Sequence, residues 1–115
     1  MATRPIKIIA SKPDGSLQLD DDEHTKDGHT KAGAGDTILW QTANQSGVHS
    51  IVAIKQKSGS NFWSEQPQPQ GANWKGTISR EAKDREEYVY AIHWKASENG
   101  RVLVHDPIIS IKPSS

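Results

Sequence analysis

Three short runs of alternating apolar residues constrain the fold of this chain more than any other feature. They occupy residues 35–40, 49–54 and 88–94. In an extended chain every second side chain points to the same face, so each run offers one apolar row to a core. No segment with helical periodicity exceeds about ten residues. The sequence therefore predicts an all-β protein.

The other strand signals are short and are separated by turn residues. They lie at residues 6–10, 17–19, 77–79, 101–105 and 108–111. About seven short strands with turns between them are typical of a Greek-key β-sandwich. A chain of 115 residues is long enough for one core but not for two. We predict a single domain that spans residues 1–115.

Two segments look like connections rather than strands. Residues 20–34 begin with a run of acidic residues and contain almost no apolar side chain, which predicts an exposed acidic loop. Residues 55–76 are rich in Gly, Ser, Gln and Pro, and we expect a long connection there. It contains Phe62, Trp63 and Trp74, which either pack down on the connection or face outward.

Three finer assignments follow from the pattern. Residues 49–54 are apolar on both faces, which indicates a central strand. Residues 80–87 are polar, and form either a short helix or an exposed turn. Residues 108–111 pair either with the first strand or with the edge of another subunit.

Composition excludes several classes of function. The 14 basic and 14 acidic side chains cancel, so no net charge attracts nucleic acid or an anionic membrane. There is no cysteine, which excludes disulfides and thiolate chemistry. No run approaches the roughly 18 apolar residues of a membrane span. We predict a soluble protein without a nucleic-acid partner or a membrane span.

A set of motifs recurs in order along residues 35–105. It consists of a Gly-Asp strand with a late aromatic residue, a histidine that opens the next strand, a Tyr-x-aromatic strand and a Gly-x-Val-x-Val strand: Gly35, Asp36, Trp40, His49, Tyr88, Tyr90, Gly100, Val102 and Val104. In this order and spacing the chain resembles the cupredoxins, the blue-copper electron carriers and their relatives. The resemblance implies a cupredoxin-like Greek-key sandwich.

The resemblance does not extend to the copper ligands. His49 occupies the position of the first ligand, but Ile92 stands where the family has its cysteine. Lys95 falls near the second histidine position, and Asn99 stands just before Gly100 with no methionine in that segment. Blue copper depends on a thiolate ligand. We therefore predict no type 1 copper centre and no cofactor.

The remaining histidines leave one alternative open. Strand alternation turns His93 to the face opposite Ile92, away from the inward direction expected of His49. The acidic run with His24 and His29 lacks the Gly-centred spacing of an EF-hand. The alternative function is metal handling, with copper or a similar ion bound weakly through His49 and another histidine.

Catalytic patterns are missing from the sequence. Ser50 follows His49 directly, so the two side chains point to opposite sides of the strand and cannot form a nucleophile–base pair. Glu86 and Glu87 adjoin in a polar segment that offers no apolar surroundings to separate their pKa values. We predict that the protein is not an enzyme.

The aromatic residues supply the candidate binding site. Exposed tryptophan is a common anchor for partners, and sandwiches bind through their end loops. We predict binding through Trp63, Trp74, Trp94 and His49, with an unidentified protein or carbohydrate as the partner. The competing interpretation is that Phe62, Trp63 and Trp74 form a small cluster that caps one end of the sandwich. The predicted function is a non-catalytic binding or interaction module.

Overall fold

The computed structural model describes residues 3–21 and 29–111, and every regular element in them is a β-strand. The strands are β1 (Thr3–Ser11), β2 (Leu17–Asp21), β3 (His29–Ala32), β4 (Thr37–Thr42), β5 (Ser50–Gly59), β6 (Trp63–Gln70), β7 (Asn73–Ile78), β8 (Glu87–Lys95), β9 (Leu103–His105) and β10 (Ile108–Ile111). The all-β prediction is confirmed, although ten strands are present where the sequence predicted about seven. These residues include no helix long and apolar enough to span a membrane.

The strands form two mixed sheets. Sheet A has the order β2-β1-β4-β7-β6, with β1 parallel to β4 and the other neighbours antiparallel. Sheet B has the order β3-β10-β8-β5, with β9 also paired to β8 and with β10 parallel to β3. Most neighbours are not consecutive in sequence, so the chain passes repeatedly from one sheet to the other.

Both sheets contribute to one core. Strand β8 supplies the largest inward row, in which Tyr88, Tyr90, Ile92 and Trp94 are each no more than 2% exposed. The row faces side chains of sheet A, and the indole Nε1 of Trp40 donates to the Tyr90 hydroxyl at 3.1 Å. The period-2 alternation of residues 88–94 therefore buries one face of β8, as the sequence predicted.

The predicted loop over residues 20–34 is wrong in part. Asp20 and Asp21 still belong to β2, and β3 follows at His29–Ala32; residues 22–28 lie outside the described residues. Thr30 and Ala32 are buried, because β3 lies beside β10 and turns these two small side chains inward. Small and polar residues gave no apolar pattern from which the strand could be predicted.

The predicted connection over residues 55–76 is also wrong. It consists of the end of β5 in sheet B, all of β6 and most of β7, and β6 and β7 form a hairpin on the edge of sheet A. Pro67 and Pro69 fit there because a strand at the edge of a sheet pairs on one side only, so a missing N–H on its other side breaks no ladder.

Three finer expectations have clear outcomes. Strand β5 lies at an edge of sheet B and is not central. Residues 80–87 contain turns that lead into β8, as one of the two alternatives predicted. Strand β10 pairs with β3 and β8, and not with the first strand.

A partly buried ion pair connects β1 to the turn before β4. Arg4 Nε lies 2.9 Å from Asp36 Oδ2, and the two side chains are 21% and 6% exposed. The same carboxylate oxygen accepts the Gly33 N–H at 2.8 Å. Asp36 thus holds together the turn and the parallel β1–β4 pair.

The ion pair gives a stability prediction. We expect Asp36→Ala to lower the free energy of unfolding by about 2–4 kcal/mol, because it leaves the Arg4 charge and the Gly33 N–H without this partner. Asp106→Ala is the matched control, since it removes the half-exposed pair of Lys57 Nζ and Asp106 Oδ2 at 3.2 Å. An exposed pair contributes about 0–1 kcal/mol. Urea denaturation measures both, and equal losses would contradict the prediction.

Candidate functional site

His49 and Ile92 lie in different environments. His49 precedes β5, where its backbone N–H donates to the Lys95 carbonyl at 2.8 Å and its side chain is exposed. Ile92 is 0% exposed and lies opposite Ile54 of β5. Ile92 is thus part of the core.

The described histidines are spread over the molecule. His93 lies on the outer face of sheet B, where it pairs with Ala53 on β5 and with Val104 on β9. Within residues 3–21 and 29–111, no three His, Asp or Glu side chains come together in a way that could hold a metal ion.

His105 lies directly opposite the buried Ile92. Its Nδ1 accepts the Leu17 N–H at 3.2 Å, so Nε2 carries the proton. Nε2 is buried and has no partner among the described residues. Burial lowers the pKa of His105, against the opposing influence of the carboxylates of Asp106 and Asp14.

Sequence reasoning missed His105 because its importance depends on a contact between the sheets. Alternation along β9 places Leu103 and His105 on one face, but it does not reveal that a backbone N–H of β2 lies within reach. The link joins an edge strand of sheet A to sheet B.

One serine–histidine–carboxylate grouping is present on the outer face of sheet B. His29 Nε2 is within hydrogen-bonding distance of Ser110 Oγ, which also donates to Glu87 Oε2 at 3.3 Å. In a catalytic triad the carboxylate orients the histidine and the histidine accepts the serine proton. Here the carboxylate contacts the serine directly, so the geometry is not that of a triad.

The three tryptophans of the predicted binding site lie in the core. Trp63 is 8% exposed, Trp74 is 9% exposed and Trp94 is 1% exposed. Trp94 is further fixed because its Nε1 donates to the Gly15 carbonyl at 3.0 Å. Of the two alternatives left open for Trp63 and Trp74, the structure has the one in which the rings pack inward, because their strands turn them toward the core. A binding role for these residues and His49 stays a prediction.

Trp63 belongs to an aromatic cluster that spans the two sheets. Its ring centroid is 5.2 Å from those of Phe62 and Tyr88 and 5.9 Å from that of Trp40. Such tilted and edge-on contacts add about 0.5–1.5 kcal/mol per pair beyond burial. Burial raises the pKa of Tyr88, and the neighbouring Trp63 indole offsets part of this rise in pKa. The Trp63 N–H is buried and forms no hydrogen bond with the described residues.

Gly76 makes room for the Trp63 ring. A Cβ on Gly76 would lie 3.0 Å from Trp63 Cζ3 and 3.2 Å from Pro67 Cα. Only a residue without a side chain allows β7 to approach the indole this closely.

Val52 and Val104 present apolar side chains on the outer face of sheet B, and together with Val102, which precedes β9, they form a surface that we call the valine patch. Val52, Val102 and Val104 are 45%, 45% and 44% exposed. Val104 lies beside His93, and a bulge between Ile51 and Ala53 turns Val52 outward on the neighbouring strand. The patch occupies the end of the sheet at which His49 and Trp94 lie.

The β6–β7 hairpin, which lies within the predicted connection over residues 55–76, carries a polar groove on the outer face of sheet A. This hairpin groove has a volume of about 330 Å³ and lies between β6 and β7. Its lining consists of Glu65, Gln68, Pro69, Gln70, Lys75, Gly76 and Thr77.

The described architecture defines the class: an all-β protein with a core between two mixed sheets. No family model matches the chain, and no curated protein matches it. Among solved structures it is similar to the inclusion body protein PixA from Burkholderia cenocepacia, with a TM-score of 0.51 and 10% sequence identity. The alignment covers 96% of this chain and 95% of that one. At this identity the similarity concerns the fold alone.

The buried His105 predicts a pH-dependent stability. Its pKa in the folded state lies below the ordinary 6.5, so the unfolded chain binds a proton that the folded chain does not. The free energy of unfolding should therefore fall as the pH drops below about 6.5. His105→Asn keeps an acceptor near the Leu17 N–H but does not titrate, and we expect it to lose this part of the pH dependence.

Urea denaturation at pH 8 and pH 5 measures the difference between the two proteins. Gln18→Asn, at an exposed position of β2 that carries no titratable group, provides the control and should keep the wild-type pH dependence. If His105→Asn and the wild type lost equal stability between the two pH values, the proposed role of His105 would be wrong.

The Gly76–Trp63 contact predicts a non-additive pair of substitutions. Gly76→Ala should destabilise the protein by about 1–3 kcal/mol, because the added methyl group collides with the indole. In a Trp63→Leu background the same change should cost less. A double-mutant cycle by thermal denaturation tests this, and strict additivity would contradict the contact.

Proposed function

We propose that this protein is a non-catalytic binding module and that a protein partner docks on the valine patch. The observation that carries the proposal is that Val52, Val102 and Val104 are each about 45% exposed, with Val104 directly opposite His93 and Val52 next to Ala53, the partner of His93 on the other side. Single exposed valines are ordinary, whereas several exposed apolar side chains in one region are a feature of interaction sites.

The surroundings of the patch suit a protein partner. His93 lies between Ala53 and Val104, so the apolar surface encloses a polar side chain that can hydrogen-bond. Farther along the sheet, Lys57 and Asp106 form an exposed ion pair. An apolar centre with a polar margin is typical of protein–protein interfaces.

We further propose that the scaffold is a cupredoxin-like Greek-key sandwich without a type 1 copper centre. Support comes from the parallel β1–β4 pair, from the repeated passage of the chain between sheets, and from His49 at the start of β5. The inward Ile92 on β8 supports the missing copper centre, because it fills the cysteine position with an aliphatic side chain.

The proposal that the protein is not an enzyme is supported by the contacts of its acidic and hydroxyl side chains. Asp36 forms an ion pair with Arg4, and Ser110 lies between His29 and Glu87 in an arrangement unsuited to activating a nucleophile. Metal handling through His49 and another histidine was the alternative. No contact in the described residues favours it, and we do not develop it further.

The test is a binding measurement with charged substitutions in the patch. A partner is isolated on the immobilised wild-type protein, and its affinity is then measured by calorimetry against Val52→Asp and Val104→Asp. We expect each substitution to weaken binding by about tenfold, because it places a charge in an interface that buries a half-exposed valine.

Gln18→Asp, an exposed position on sheet A, is the matched control and should leave the affinity unchanged. Thermal denaturation confirms that each variant is folded. Sedimentation equilibrium identifies the case in which the partner is a second copy, since Val104→Asp would then convert a dimer to a monomer. Unchanged affinity in both valine variants would refute docking on the patch.

A further inference from the structure

We propose that the hairpin groove binds a neutral polyhydroxylated ligand, that is, a carbohydrate. The groove lies on the sheet opposite the valine patch, so the two proposals are independent. Its volume of about 330 Å³ is at the lower end of the range of about 300–1,000 Å³ found for small-molecule sites. It can therefore hold a small sugar or the end of a longer chain.

The groove arises from an irregularity in the pairing of β6 with β7. Glu65 pairs with Thr77 and Gln68 pairs with Lys75, so two residues of β6 lie opposite the single Gly76 of β7. The extra residue interrupts the regular pairing of the two strands. Gly76 itself turns inward toward the Trp63 ring, and the outward side chains of Lys75 and Thr77 on either side of it line the groove.

The base of the groove is held rigidly by the core. The Trp63 ring packs on the inner side of Gly76, and Trp74 is buried opposite Pro69 and Trp40. These contacts fix the backbone that carries the lining residues. A preformed site loses less conformational entropy on binding, which suits a small ligand that makes few contacts.

The chemistry of the lining matches hydroxyl groups. The amides of Gln68 and Gln70 and the hydroxyl of Thr77 can each donate and accept hydrogen bonds, as sugar hydroxyls do. Glu65 and Lys75 bring one negative and one positive charge, which cancel. The groove therefore favours a neutral ligand over an acidic or a basic one.

The polar surface continues beyond the groove. Thr37 on β4 lies next to Thr77, with their hydroxyl oxygens 3.4 Å apart. Gln41 follows on the same face of β4 by strand alternation. The surface next to the groove thus offers further hydroxyl and amide groups to a ligand longer than one sugar.

An extended peptide fits this edge less well than a carbohydrate. A peptide that adds a strand to a sheet needs backbone donors and acceptors along the edge. Pro67 and Pro69 have no N–H, so β6 offers fewer donors than an ordinary edge strand. The side chains of the groove, and not its backbone, are therefore the groups available to a ligand.

The test is an NMR titration of the full chain with neutral sugars. The probes are the methyl glycosides of glucose, galactose, mannose and N-acetylglucosamine, together with maltotriose and mannotriose. We expect at least one of them to cause saturable shifts in the backbone amide signals of Gln68, Lys75 and Thr77. Binding should be weak, because no aromatic ring lines the groove for a sugar to stack on.

Gln68→Ala should weaken that binding by about tenfold, because it removes a donor and an acceptor together. Gln18→Ala, an exposed amide on the opposite edge of sheet A, is the matched control and should bind as the wild type does. If a trisaccharide binds more tightly than the methyl glycoside of the same sugar, the ligand is a glycan chain. If the two bind equally, the ligand is a single sugar.

Three results would overturn the carbohydrate proposal. They are the absence of saturable shifts with every sugar, equal binding by Gln68→Ala and the wild type, and tighter binding of glucuronate or glucosamine than of methyl glucoside. Val104→Asp should keep the sugar affinity of the wild type. A failure of docking on the valine patch is thereby distinguished from a failure of the groove.

Discussion

The packing of the inward row of β8 against sheet A is the interaction on which the rest of the structure depends. Tyr90 accepts the indole N–H of Trp40, and Tyr88 contacts the edge of Trp63, so the row is oriented as well as buried. Aromatic side chains of this size bury a large area and also impose a geometry. Because β8 pairs with β5, β9 and β10, fixing β8 fixes the position of most of sheet B.

The same row determines which side chains fill the centre of the molecule. Ile92 lies between Tyr90 and Trp94 in the row and is fully buried. A close-packed interior leaves no room for an ion without a change in the side chains around it. His105, directly opposite Ile92, instead accepts a backbone N–H of β2 and links the two sheets. The imidazole beside Ile92 thus serves the contact between the sheets.

With the interior filled, the two outer faces differ in chemistry. The outer face of sheet B presents half-exposed valines around His93, whereas the groove of sheet A is lined by amides, a hydroxyl and two opposite charges. Both surfaces lie at bulges: one is at Val52 in β5, and another places two residues of β6 opposite Gly76. Bulges often occur at sheet edges, where they redirect side chains. The two proposed sites thus arise from local departures from regular pairing.

The sequence by itself determined the strand character, the inward row of β8 and the missing thiolate, because a two-residue period and residue identity are local properties. It did not determine β3 or the β6–β7 hairpin, since Thr30, Ala32 and the proline-rich β6 carry no apolar alternation and become strands only through pairing with distant partners. Only the tertiary structure decided that Trp63 and Trp74 face inward and that Val52 faces outward. The direction of a side chain depends on bulges and on sheet order, which are set by contacts between residues far apart in the chain.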